Sequence, residues 1–165
     1  INKEDGKMKF CFSTLGCTER SLDDVLTLAK KYSIDALELR GLDGVMDNRK
    51  IAALSPESRE ETLRKLCDSR VSPWVMGTSC VFHDEAKYAA FLEEGYRAID
   101  LAQSFGFRAI RVFGNNIVGD EAECVRRVGE GVLSVIAERE KRTVIGNYHA
   151  GNSVIRASAR RKNKL

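Results

Sequence analysis

Two hydrophobic periods alternate along this chain. Lys9–Ser13 (KFCFS) alternates apolar and polar side chains at the period of a strand and ends in a turn at Thr14-Leu15-Gly16. Leu22, Val25, Leu26, Ala29 and Tyr32 then repeat at helical spacing. Ser21 stands before them as an N-cap, with Asp24 in the capping-box position. Asp35–Leu39 (DALEL) reads as a second strand, followed by a loop from Arg40 to Asn48 that carries Gly41 and Gly44. Ser55-Pro56 reads as a cap with proline at the first helical position, and Leu63, Leu66 and Cys67 as that helix's buried face. Val71–Met76 is a third strand, in which Pro73 delays the pairing.

The alternation continues. Asp84 or Glu85 opens a long helix with Tyr88, Phe91, Leu92, Ile99 and Ala102 on one face, closed by Gly106. Ala109–Phe113 (AIRVF) is a fourth strand, and Gly114-Asn115-Asn116 follows it. Asp120 and Glu123 cap a fourth helix lined by Val125, Val128, Val132, Val135 and Ile136. Thr143–Asn147 is a short candidate fifth strand.

Strands that alternate with helices predict a parallel sheet with right-handed crossovers, either a barrel or an open doubly wound sheet. The phosphate-binding patterns G-x-G-x-x-G and G-x-x-x-x-G-K-[ST] are absent. At 165 residues the chain is one domain's worth, against roughly 250 for a complete βα barrel. Residues 1–7 read as an extension before a candidate start at Met8, residues 8–147 as the βα domain, and residues 148–165 as a basic, disordered tail.

The net charge of +3 is a tail effect. Residues 141–165 hold seven Lys and Arg and no acid; taking those seven from the 27 bases leaves 20 against 24 acids. The patterned part is mildly acidic, which argues against nucleic acid as a partner. Five cysteines, an odd number without C-x-x-C, argue against a disulfide framework or a zinc site and for reduced thiols in the cytoplasm. Cys11 and Cys67 are expected in the core; Cys17 and Cys80 follow strand ends. No apolar run reaches the length of a membrane span, and residues 1–7 lack a signal-peptide core.

Five stretches carry a resemblance: S-T-L-G-C at 13–17, S-L-D-D-V-L at 21–26, D-A-L-E-L-R-G at 35–41, A-I-D-L-A-Q-S-F-G-F at 98–107 and R-V-F-G-N at 111–115. In this order and spacing the chain resembles the sugar phosphate isomerase/epimerase family, the xylose isomerase-like TIM barrels, over residues 8–142. The resemblance covers the first half of that barrel, so the expected fold is α/β, a partial TIM barrel of parallel βα repeats. It implies a sugar or sugar phosphate substrate, a divalent metal (Mn²⁺ or Mg²⁺), and proton transfer beside a carbonyl.

In that family the metal ligands come from the ends of strands five to eight, and strand five typically reads L-L-E-T-H. Here Val144-Ile145-Gly146-Asn147-Tyr148-His149 stands in its place, with Asn147 where the ligating Glu belongs. Codons for Val-Ile-Gly-Asn, read one nucleotide later, can spell Leu-Leu-Glu-Thr, so an out-of-frame terminus and a genuinely diverged one are both open. The expectation is a truncated chain, inactive alone and without its own metal. The alternative is a non-catalytic half-barrel that self-associates through unpaired sheet edges, helped by inward faces of Phe10, Phe12, Leu37, Leu39, Val112 or their alternates. An abasic-site endonuclease lacks the matching histidines and the basic groove.

No catalytic residue and no metal ligand is assigned. The candidate substrate-binding residues are Glu38, Arg40, His83, Arg111 and Asn115. Glu38 and Arg40 flank the end of strand two and suit either sugar oxygens or an ion pair at the barrel mouth. Arg111 faces inward with Phe113 and needs a partner, for which Glu38 is the candidate. His83 suits a substrate loop or the surface. Ser13, Thr14 and Asn115 suit substrate oxygens or turn caps, and Trp74 is expected in the core.

Overall fold

The structure, a computed structural model, describes residues 8–114, 117, 119–141 and 154–156. Strands β1 (Cys11–Ser13), β2 (Ala36–Leu39), β3 (Ser72–Val81) and β4 (Ala109–Phe113) alternate with helices α1 (Leu22–Lys31), α2 (Arg59–Ser69), α3 (Tyr88–Phe105) and α4 (Glu121–Lys141). The four strands pair in sequence order and in parallel, as the alternation predicts. A further strand, β5 (Val154–Arg156), lies antiparallel on β4 and occupies the edge that was expected to be unpaired. The expected strand at Thr143–Asn147 lies outside the described residues, as does the rest of the basic tail. None of the described helices is long and apolar enough to cross a membrane.

Local chemistry sets the element ends. Ser21 and Asp24 form a full capping box on α1, with the Asp24 amide donating to Ser21 Oγ at 3.2 Å and the Ser21 amide to Asp24 Oδ2 at 3.3 Å. α2 starts at Arg59, not at Pro56. The Ser55 hydroxyl accepts from the Ser58 amide at 3.2 Å, so it closes a turn rather than capping the helix, and Thr62 Oγ1 ties the first turn to the Ala53 carbonyl at 2.6 Å. β3 runs on to Val81, past the expected end at Met76. Its extension buries Cys80 and the following Phe82, while Thr78 Oγ1 donates to the Arg111 carbonyl at 2.8 Å. Gly106 ends α3 at φ 75°.

The core lies between the sheet and the helices. Leu37, Leu39, Met76, Ile110 and Val112 meet Val25 and Leu26 of α1, Leu66 of α2, Ile99 and Phe105 of α3, and Val132 and Val135 of α4. Leu37, Leu39 and Val112 are thus buried, and Phe12 packs partly against the same core. By strand register the opposite face carries their alternates, Cys11, Ser13, Glu38, Gly77 and Arg111.

Four side chains expected inside are outside. Cys11 is exposed because its register with Ala36 puts it on the open face. Cys67 is exposed at the solvent side of α2, one position past buried Leu66. Tyr32 is the C-cap of α1, beyond its last full turn, and Val125 lies around α4 from its sheet-facing side; both are exposed.

Candidate functional site

The C-terminal ends of β2, β3 and β4 bring a polar cluster together on the open face. Alternation after β2 sets Glu38 and Arg40 on one side of the sheet. Arg111 of β4 lies on that side too, opposite Gly77 of β3. Arg111 Nε donates to Glu38 Oε1 in an ion pair with both side chains 16% exposed. The Arg111 guanidinium also lies over the Phe113 ring, 4.4 Å from its centroid. The pairing anticipated for Arg111 is therefore present.

Arg40 is buried, and its guanidinium is held at both ends: Nη1 donates to the Met46 carbonyl at 2.6 Å and Nη2 to Ser79 Oγ at 2.8 Å. Its stem crosses Gly77 so closely that a Cβ there would sit 2.6 Å from Arg40 Cδ. Burial lowers the Arg40 pKa from its usual value, Glu94 opposes that shift, and Arg111 adds to it. Glu94 of α3 accepts from the Ser79 amide at 2.5 Å and so brings a second carboxylate to the group. Asn48 Nδ2 donates to the Gly77 carbonyl at 2.6 Å, while its Oδ1 is buried without a hydrogen-bond partner among the described residues.

The other candidates fall elsewhere. Thr14 is buried as a brace: its Oγ1 accepts from the Arg40 amide and donates to the Gly41 carbonyl, each at 2.8 Å. Ser13 Oγ accepts from the Leu15 amide at 3.3 Å, which is a turn cap. His83 stands apart in the connection between β3 and α3. Its carbonyl accepts from Arg127 Nη1 at 2.9 Å, and it lines a cleft with Asp84, Asp120, Glu123 and Arg127 that shares no residue with the Glu38 cluster. Asn115, Asn147 and His149 lie outside the described residues. Trp74 is partly buried with Arg108 over its ring at 5.6 Å, which leaves it at the rim of the core rather than inside.

Sequence reading missed Ser79, Glu94 and Asn48. Asn48 lies in the loop after β2 and Ser79 within the unforeseen extension of β3, and no local pattern marks either. Glu94 looks like any exposed helix carboxylate, and nothing local marks it. Among the described residues no three His, Cys, Asp or Glu side chains converge to hold a metal ion, so they do not fit a divalent cation.

No family model and no curated protein matches the sequence. Solved structures share its fold. The probable 3-DHS dehydratase AsbF from Bacillus anthracis superposes with TM-score 0.62 at 18% identity, over 79% of this chain and 49% of that one. The IolI protein with a bound zinc atom gives 0.61 at 19% identity, over 81% and 48%. A xylose isomerase-like TIM barrel protein from Mycobacterium smegmatis in complex with magnesium gives 0.52 at 18%, over 79% and 52%. The chain spans about half the length of each of these three structures. Its four parallel βα units thus have the fold of half of a xylose isomerase-like TIM barrel.

Proposed function

We propose that this chain forms one substrate wall of a sugar isomerase- or epimerase-like barrel. The ligand class is a polyhydroxylated carbonyl compound or its phosphate. The observation that carries the reading is the Glu38–Arg111 pair, largely buried on the open face at the strand ends, beside the buried Arg40. In a βα barrel this end of the sheet is where chemistry sits. A guanidinium has five N–H donors, and Glu38 takes one of those on Arg111. Arg111 then offers planar donors to sugar hydroxyls or a phosphate, and Glu38 both fixes the guanidinium and accepts from a hydroxyl. Arg40 adds positive potential from beneath.

Binding is the role assigned to these residues. The reading gives the chain no turnover by itself, because the described residues supply no metal donor set. The likeness to zinc- and magnesium-bound barrels suggests Mn²⁺ or Mg²⁺ for a complete barrel, with ligands outside the described residues. The cysteine usage fits a cytoplasmic setting.

The test is a titration of the chain, followed by NMR, with a panel of aldoses, ketoses and their phosphates. Binding that weakens in Arg111→Met and Glu38→Gln, and holds in Arg64→Met, an exposed arginine of α2 paired with Asp68, is expected. If no sugar or sugar phosphate binds, or if Arg111→Met binds as well as the parent chain, the reading fails. Interconversion of any panel member by the purified chain overturns the part that denies turnover.

A further inference from the structure

The polar cluster at the strand ends holds two carboxylates, Glu38 and Glu94, and two guanidinium groups, Arg40 and Arg111, and each guanidinium has an acid beside it. Arg111 is in contact with Glu38. Arg40 donates to Ser79 Oγ at 2.8 Å, and the amide of the same serine donates to Glu94 at 2.5 Å, so one residue links the two charges. Burial works against the Arg40 charge, and Glu94 is first among the neighbours that support it. The positive potential that Arg40 brings is offset within the cluster, whose four charges sum to zero. Other arginines at this end of the molecule are matched in the same way. On the loop after β2, Arg49 meets both oxygens of Asp47, at 2.7 and 2.8 Å. Arg127 of α4 lies between Glu85 and Glu123, at 3.3 and 3.2 Å.

A phosphate monoester needs the opposite arrangement. It brings a charge of about −1.5 to −2 and oxygens that accept hydrogen bonds. It binds where a cationic side chain is unmatched, or where the free amides of a helix start meet it.

The helix starts are closed to it as well. In parallel βα units each helix begins at the end of the sheet where its strand stops. α1 begins with the capping box of Ser21 and Asp24, with Asp23 in its first turn. α2 has Glu60 and Glu61 in its first turn. The short turn leading into α3 is capped by Asp84, whose Oδ1 accepts from the Ala86 amide at 3.1 Å. At the start of α4, Asp120 Oδ1 accepts from the Glu123 amide at 2.8 Å, and Glu121 and Glu123 add two more carboxylates. An acid of the chain itself already meets the positive end of each helix.

The hydrogen-bonding capacity left in the cluster belongs to acceptors. Glu38 and Glu94 each accept through Oε1 and keep a second carboxylate oxygen. Asn48 Oδ1 is buried with no partner among the described residues, and its orientation is fixed because Nδ2 donates to the Gly77 carbonyl. Acceptors call for donors. A hydroxyl both donates and accepts, whereas a phosphate adds negative charge and further acceptors.

We infer that this wall selects the unphosphorylated compound: its ligand is a neutral, hydroxyl-rich aldehyde or ketone, taken in preference to the phosphate of the same sugar. The inference rests on the ligand-binding reading of Glu38 and Arg111 and narrows it.

The test is an NMR titration of the full chain with matched pairs: glucose and glucose 6-phosphate, fructose and fructose 6-phosphate, ribose and ribose 5-phosphate. Inorganic phosphate is added alone as a further probe, and each series is run at low and at physiological salt. In the pair that binds best, the unphosphorylated member is expected to bind roughly fivefold tighter or more, and inorganic phosphate is expected to leave the Arg40 and Arg111 signals unmoved. Glu94→Gln keeps an acceptor for the Ser79 amide and leaves the cluster with a net positive charge. It is expected to move the ratio of the two affinities several-fold toward the phosphate, and less so at physiological salt. If that variant loses its folded spectrum, Glu38→Gln changes the charge by the same amount and the same ratio is read. A phosphate that binds as tightly as its parent sugar, or a ratio that the charge change does not move, overturns the inference and leaves the ligand-binding reading standing. If no member of any pair binds, the ligand-binding reading has failed and the inference falls with it.

Discussion

Glu38 and Arg111 reach each other across a strand to which neither belongs. Glu38 is on β2 and Arg111 on β4, and β3 runs between them with Gly77 in register with Arg111. The pair therefore depends on how three strands are registered, and it reports on the assembled sheet rather than on any local segment.

Removing one partner should cost more than removing both. Arg111→Met leaves the Glu38 carboxylate without its ion partner at 16% side-chain exposure. Full burial of an orphaned charge costs 3–5 kcal/mol; with some solvent access the expected loss is about 1–3 kcal/mol. The double variant Glu38→Leu with Arg111→Met should recover most of that loss, because no charge is stranded. Urea denaturation of the four chains of the cycle measures the coupling. Losses that simply add would show that the pair does not act as a unit.

Gly77 is expected to be intolerant of even a methyl group. A Cβ there would approach Arg40 Cδ to 2.6 Å and Arg40 Cβ to 2.9 Å, and the second of these is anchored to the backbone. Gly77→Ala should destabilise by about 1–3 kcal/mol through overpacking and break the contact of Arg40 with Ser79. Gly16→Ala, where an added Cβ meets nothing within 4 Å, should stay close to the parent chain. Equal denaturation midpoints for Gly77→Ala and the parent would refute the account of Arg40 given above.

Much of this was legible in the sequence, and the parts that were not share a cause. The four strand–helix units, the capping box at Ser21 and Asp24, and the αL end at Gly106 follow from local periodicity and capping chemistry, and the structure has them all. The Arg111–Glu38 pair was legible because an arginine inside a strand demands a partner. Ser79, Glu94 and Asn48 were not, since they converge through the unforeseen extension of β3 and through α3, and no local pattern encodes that meeting. Val125 fits the apolar helical pattern yet is exposed, because periodicity reports which positions are apolar and not whether a neighbour covers them.

Two glycines on α4 should respond to alanine with opposite sign. In a helix interior Gly→Ala normally gains up to about 1 kcal/mol. At Gly129 nothing lies within 4 Å of an added Cβ, so Gly129→Ala should stabilise the fold by about that amount. At Gly131 the added Cβ would overlap the Phe82 side chain, a fully buried ring also packed edge-on against Tyr88. The overlap costs about 1–3 kcal/mol, enough to outweigh the helical gain, so Gly131→Ala should be destabilising. Thermal midpoints of the two variants decide it, and the same sign for both would refute this packing of α4.

The thiols should divide by burial, and one of them should leave a signature in alkaline pH. Cys67 and Cys11 are exposed, and Cys80 and Cys124 are buried. Partial burial of the Cys11 thiol, with the nearby Glu38 carboxylate, raises its pKa, so Cys11 should react more slowly than Cys67 with a thiol reagent at neutral pH. Cys80 is pushed up to about 12, chiefly by burial and against the hydrogen bond from Thr78. It should react only on unfolding. Its folded pKa lies above the value of 9.0 for a free thiol, so the unfolded chain loses that proton first. Cys80 therefore takes nothing from stability below that value, and lowers it progressively as pH rises from 9.0 toward about 12. Cys80→Ala will cost stability through its small cavity at every pH, but should lose less than the parent chain between neutral and alkaline conditions. Denaturation of both chains across that window measures the difference, and parallel pH profiles would show that Cys80 is not the buried thiol described.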